Sequence, residues 1–165
     1  MLIETSIKIE CFSPKYQKGV EELVLPIQND EMGVMITKEE QPDLIGVEEF
    51  FLHDNGNFWV ALDRDRVIGT IGLVDIGNRE FALRKMFVDK DYRGKEKGVA
   101  HTLLNRAFEW CRAHQASAIY LGTTYKYLAA HRFYEKNGFV ELQKEQLPEA
   151  FPVCHVDRVF YAYKF

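Results

Sequence analysis

The sequence predicts a mixed α/β sheet with helices on its faces, and three features of its hydrophobic pattern predict it. Three β-rich segments follow one another between Asn57 and Val88, separated by polar turns. From Gly98 the apolar residues change to helical spacing. A strand and another helix then follow, and a β–α–β unit requires at least one parallel pair.

The elements are expected in this order. Ile7 to Phe12 is β-rich and alternates weakly, a first strand. Ser13 and Pro14 make an N-cap with proline at the first helical position, opening a helix to Leu25 that Pro26 should stop. Gln28 to Gln41 is polar and contains Gly33, a loop. Pro42 to Leu52 forms a second helix with Leu44, Ile45, Val47, Phe50 and Phe51 on its apolar side. The meander comprises Asn57 to Leu62, Val67 to Ile76 and Glu80 to Val88; its middle strand is almost wholly apolar and therefore central. Val99, Ala100, Leu103, Leu104, Ala107, Phe108 and Cys111 then fall on one helical face. Ser117 to Thr123 is a strand. Lys126 to Lys136 is a helix closed by Asn137-Gly138. Phe139 to Leu142 and Asp157 to Phe165 are the last strands, joined by a loop with Pro148 and Pro152.

The 165 residues suit one domain, with hydrophobic residues at 47% and charged residues at 28%. A net charge of −4 argues against nucleic acid as the main partner, since phosphate binding favours a basic surface. Cys11, Cys111 and Cys154 are too few and too scattered for a disulfide framework, and they suit reduced thiols in the cytoplasm. Met1 to Glu10 shows no secretory pattern, and no apolar run is long enough to span a bilayer. His53, His101, His114 and His131 have no metal-ligand spacing, so no metal is expected.

The chemistry is concentrated in MFVDKDYRGKEKGVAHTLL, Met86 to Leu104. A strand ends at Val88, a loop carries Arg93, Gly94, Lys95, Lys97 and Gly98, and an amphipathic helix begins near Val99. The first-turn amides of a helix lack internal partners and the helix dipole favours negative charge there, so the expected guest is a phosphate or pyrophosphate. The loop is not a Walker loop and not a dinucleotide fingerprint, because the glycine spacing fits neither.

A second stretch, Thr123 to Val140, contains Ala130, Phe133, Tyr134, Glu135, Lys136, Gly138 and Phe139 in the pattern A-x-x-F-Y-E-K-x-G-F. Lys95-Glu96-Lys97-Gly98-Val99-Ala100 fits Q/R-x-x-G-x-G/A with lysine first. In this order the two motifs resemble the GNAT superfamily of N-acetyltransferases, with Tyr127 where that family often has asparagine. The resemblance implies the GNAT acyl-CoA N-acyltransferase fold: a central mixed, mostly antiparallel sheet of six to seven strands flanked by about four helices. It implies acetyl-CoA as cosubstrate and direct acetyl transfer to a primary amine of a small molecule or peptide.

The resemblance also implies roles. Backbone groups of Met86, Phe87 and Val88 would pair with the pantetheine arm and stabilise charge on the thioester carbonyl. Arg93, Gly94, Lys95, Glu96, Lys97, Gly98, Val99 and Ala100 would surround the pyrophosphate. Ala130, Phe133, Tyr134 and Lys136 would complete the cofactor site. Tyr134 is the expected acid for the departing thiolate. Full proton transfer from a phenol (pKa about 10) to a thiolate (about 8.5) is uphill by roughly 2 kcal/mol, so a hydrogen bond is its expected contribution. A lysine-like amine lies about 3.4 pKa units above pH 7, a cost of about 4.6 kcal/mol, which calls for a base. Glu80 is the candidate, with Asp75 and His155 as others. A CoA-binding sensor without turnover and a partner-binding protein with an empty site are the competing classes. Homodimerisation, common in the family, is compatible with the sequence.

Overall fold

The structure is a computed structural model describing residues 7–94 and 98–165. The strands are β1 (Ile7–Cys11), β2 (Asn57–Asp63), β3 (Arg66–Gly77), β4 (Glu80–Val88), β5 (Ala118–Thr123), β6 (Val140–Leu142) and β7 (Val159–Lys164). They form one sheet in the order β1-β2-β3-β4-β5-β7-β6. Only β4 and β5 pair in parallel, as the β–α–β reading requires. The helices are α1 (Gln17–Pro26), α2 (Pro42–Ile45), α3 (Val47–Phe51), α4 (Val99–Ala113) and α5 (Leu128–Lys136).

The helices cover the two faces separately. On one, α4 buries Val99, Leu103, Leu104, Ala107 and Cys111 against Ile71, Leu83, Val88 and Ile119. On the other, Val20, Leu23 and Val24 of α1 pack with Leu44, Val47 and Phe51 against Phe58 and Val60. No described helix is long and apolar enough to cross a membrane.

The first helical region departs from expectation in two places. Pro26 does not stop α1: the chain continues as a π-helical turn, Ile27–Glu31, and the Met32 N–H donates to the Ile27 carbonyl at 2.9 Å. A proline removes its own N–H but leaves the following residues free to stay helical. The expected helix from Pro42 to Leu52 is broken at Gly46, whose φ of −133° and ψ of 65° lie outside the helical region. The first helix opens at Pro14 as a 3-10 turn, Pro14–Tyr16, before α1 begins, and the remaining boundaries shift by no more than two residues.

The decisive feature lies between β4 and β5. They pair only over Glu80↔Ala118, Phe81↔Ile119 and Ala82↔Tyr120. Beyond Ala82 they part, so β4 from Leu83 to Val88 has no β5 partner on that edge. An interior strand thus presents to a gap an edge that has no strand partner.

Candidate active site

A second irregularity shapes β4. Thr70 of β3 faces Phe87, but Gly72 faces Arg84, so Ile71 opposes both Lys85 and Met86. This is a β-bulge, which leaves one extra residue on the bulged strand and re-aims its side chains. Lys85 takes φ 54°, a left-handed conformation that costs a non-glycine residue about 1–2 kcal/mol. The Thr70 hydroxyl donates to the Lys85 carbonyl at 2.6 Å and holds the bulge. Before it, Phe81 and Leu83 face the α4 side; after it, Met86 and Val88 do. Arg84 and Lys85, though consecutive, both reach the opposite side and converge on Asp43 of α2, at 2.9 Å and 3.0 Å.

The gap holds a cleft of about 380 Å³. Met86, Phe87, Val88, Arg93, Gly94, Ala100, Ala130, Phe133 and Tyr134 all line it, together with Ile27, Met32 and Tyr127. Elements distant in sequence thus bring most of the expected cofactor residues to one wall. Gly98 precedes α4 as its N-cap at φ 64°, a conformation suited to glycine; it does not itself line the cleft, but Ala100 of the first turn does. Lys95, Glu96 and Lys97 lie outside the described residues. Val99 is buried in the core and Lys136 is exposed near the end of α5; neither lines the cleft.

Arg93 is committed within the protein. Its Nε donates to the Val88 carbonyl at 2.8 Å, and its guanidinium makes a two-pronged pair with Glu31, with Nη2 to Oε1 at 2.9 Å. It therefore fastens the π-helical turn to the end of β4 while lining the cleft. Tyr134 is 5% exposed and packs its ring near Phe133, Phe139 and Tyr161. Burial pushes its phenol above the ordinary value, with a smaller push from Tyr127.

Glu80 is not brought to the cleft. It lies at the closed end of the β4–β5 pair and accepts from the Tyr120 hydroxyl at 3.0 Å. Six strand residues at about 3.3 Å each place it roughly 20 Å from Met86. Asp75 accepts from the Asn55 and Gly77 amides, and His155 lies 3.5 Å from Glu40. None of the three lines either cavity described here.

A smaller cavity of about 90 Å³ opens on the α1–α3 side of the gap. Phe87 and Tyr127 line both cavities, and their rings meet edge to face at 5.9 Å, forming the partition. Arg84, Lys85 and Asp157 are the charged residues among its described lining residues. Asp157 accepts from the Cys154 amide at 2.9 Å, and a methyl group at Gly122 would approach its Oδ2 to 2.6 Å. Burial raises the Asp157 carboxyl above its ordinary value, opposed by the Cys154 amide and by Arg84 and Lys85. Sequence reasoning missed this cluster. Its one signal was the Arg84-Lys85 pair, which interrupts the alternation of an otherwise apolar strand.

The model of the family described as Acetyltransferase (GNAT) family matches residues 22–139. A GNAT-family acetyltransferase structure from Staphylococcus aureus is 36% identical, covers 96% of this chain and 99% of its own, and superposes with a TM-score of 0.92. A streptothricin acetyltransferase from Bacillus anthracis, described as putative and solved with acetyl coenzyme A, is 28% identical over 72% of this chain and 67% of its own, with a TM-score of 0.56. N-acetylaspartate synthetase of Xenopus tropicalis is 38% identical over 101 residues, which is 59% of this chain; the chain spans 36% of that relative's length.

Proposed function

Because this chain belongs to the acetyltransferase (GNAT) family, we propose that it transfers an acetyl group from acetyl-CoA directly to a primary amine of a small molecule or peptide. The observation that carries the proposal is the cleft where the unpaired edge of β4, the start of α4 and the Tyr134 face of α5 meet. That cleft suits an acyl-CoA. The unpaired edge can pair with the amide-bearing pantetheine arm, and the helix start favours phosphate. The Xenopus tropicalis relative is named for an N-acetyl product, which supports nitrogen as the acceptor atom.

In the proposed step the amine nitrogen attacks the thioester carbon. A C–N bond forms, the C–S bond breaks, and the electron pair leaves on sulfur. The β4 backbone at Met86 to Val88 supplies N–H groups for charge building on the carbonyl oxygen. Tyr134 hydrogen-bonds the departing thiolate, which leaves as CoA–S⁻ and is protonated by solvent to the CoA thiol, while the proton taken from the amine is later released to solvent. The proton lost by the amine is assigned to Asp157, the one acid among the described residues lining the adjoining cavity. Its raised pKa makes it a stronger base than an ordinary aspartate.

The test is purified protein incubated with acetyl-CoA, a panel of amines and a thiol reagent. Thiol release that depends on an amine is expected. Tight acetyl-CoA binding with no release across the panel would instead fit a sensor.

A further inference from the structure

The acceptor cavity carries a charge pattern that acetyl transfer alone does not require. Arg84 and Lys85 line it, while Asp43, their shared counter-ion, stands behind them and does not. The Asp43 and Lys85 side chains are 3% and 8% exposed, and Arg84 is 17% exposed. Two cations share one carboxylate oxygen behind the wall, and the other acid near them is Asp157, which lines the cavity beside them. Burial lowers the Lys85 pKa and Asp43 opposes that shift. The rest of the Arg84 guanidinium is anchored: Nη1 donates to the Pro152 carbonyl at 2.9 Å, and the group stacks 5.6 Å from the Phe50 ring. The pair is therefore fixed in place, and the left-handed bulge at Lys85 is what brings both cations to one side.

Of the other described polar walls, only Asp157 can offer an anion. Gln28 and Gln41 bond each other reciprocally, both at 2.9 Å, and so satisfy one another. Asp157 is the acid among the described lining residues. An amine engaged at Asp157 would leave the two cations with Asp43 alone, and a guest carboxylate would supply the second counter-charge. The size of the cavity restricts the guest as well. One water-sized group needs about 10–15 Å³, so this space admits on the order of six to nine such groups.

We propose that the acceptor is a small amine that also bears a carboxylate, such as an α-amino acid, with Arg84 and Lys85 holding the carboxylate and Asp157 serving the amine. The inference rests on the acetyl-transfer reading of the same site. The carboxylate passes through the reaction unchanged, and the products are the N-acetyl acid and the CoA thiol.

The test compares L-aspartate and L-leucine with their α-carboxamides and with spermidine as acceptors. At least one free acid should exceed its carboxamide in kcat/KM by about 10²-fold or more. Lys85→Met and Arg84→Gln should bring that ratio close to one and raise the acceptor KM, leaving the acetyl-CoA KM within about twofold. A variant that merely folded poorly would lose acid and amide turnover together and keep the ratio; the wild-type ratio would then decide. Carboxamides or spermidine preferred by the wild type would overturn the proposal and leave N-acetyl transfer standing. If no amine releases thiol, the transfer reading fails instead. Calorimetry with the CoA-loaded protein then decides the carboxylate question, since L-aspartate or L-leucine must bind more tightly than its carboxamide.

Discussion

At the scale of single residues, burial raises the pKa of both candidate acid–base groups, which weakens Tyr134 as an acid and strengthens Asp157 as a base. Tyr134 is packed among aromatic rings, and burial raises its pKa, so giving up its proton is harder than for a free phenol. The contribution proposed for it is a hydrogen bond to sulfur, and Tyr134→Phe should lower kcat by on the order of 10² or less. An unchanged kcat would remove the role. Glu80 lies at the far end of β4, tied to Tyr120, so Glu80→Gln should leave kcat/KM and the pH–rate profile intact. Asp157 is also raised by burial, but from the carboxylate range, so its shift bears on stability at acid pH. Its contribution to stability is therefore full at low pH, below the unfolded value, and is lost as pH rises through the folded value. Asn in its place can still accept from the Cys154 amide. The melting temperature of ligand-free Asp157→Asn should thus fall less steeply than the wild type's as pH rises from below the ordinary aspartate pKa through Asp157's raised value. Parallel curves would show that the ionised Asp157 carboxylate is not disfavoured in the fold.

At the scale of elements, the bulge in β4 matters more than any one helix. It puts two adjacent cations on one face, and Thr70 holds it from β3 with a buried hydroxyl. Thr70→Val keeps the volume but removes the donor, leaving the Lys85 carbonyl short of a partner. A loss of about 1–3 kcal/mol in unfolding free energy is expected, measured by denaturant titration. The acceptor KM should rise more than the acetyl-CoA KM, because the bulge positions Arg84 and Lys85. This irregularity was not legible in the sequence. Helical period exposed α4 clearly through Val99, Leu103, Leu104, Ala107 and Cys111, all now buried. Strand alternation, by contrast, gives no position for an inserted residue, and the left-handed Lys85 is a residue type that rarely takes that conformation. The break at Gly46 was missed for a related reason: the apolar residues on either side remain in helical phase across it.

At the scale of the whole molecule, sequence order foretold at least one parallel pair but neither that it is β4–β5 nor that it would stop at Ala82. The stopping point depends on what fills the gap beyond it. Met86, Phe87 and Val88 come from one strand, Ala100 from α4, and Ala130, Phe133 and Tyr134 from α5. The motif residues could be named from the sequence, whereas Asp43 and Asp157 join the proposed acceptor side only through the closed fold. An open gap in the middle of a sheet leaves backbone groups without strand partners, so a ligand that pairs with them should stabilise the entire sheet. A ligand at 100 times its dissociation constant contributes about 2.7 kcal/mol to the folded state. For a chain of this size about 2–4 °C accompanies each kcal/mol, so acetyl-CoA should raise the melting temperature by about 5–11 °C. Dephospho-CoA retains the pyrophosphate and pantetheine and should give most of that shift, while pantetheine alone should give little. Equal shifts from pantetheine and acetyl-CoA would mean that the start of α4 contributes no phosphate site.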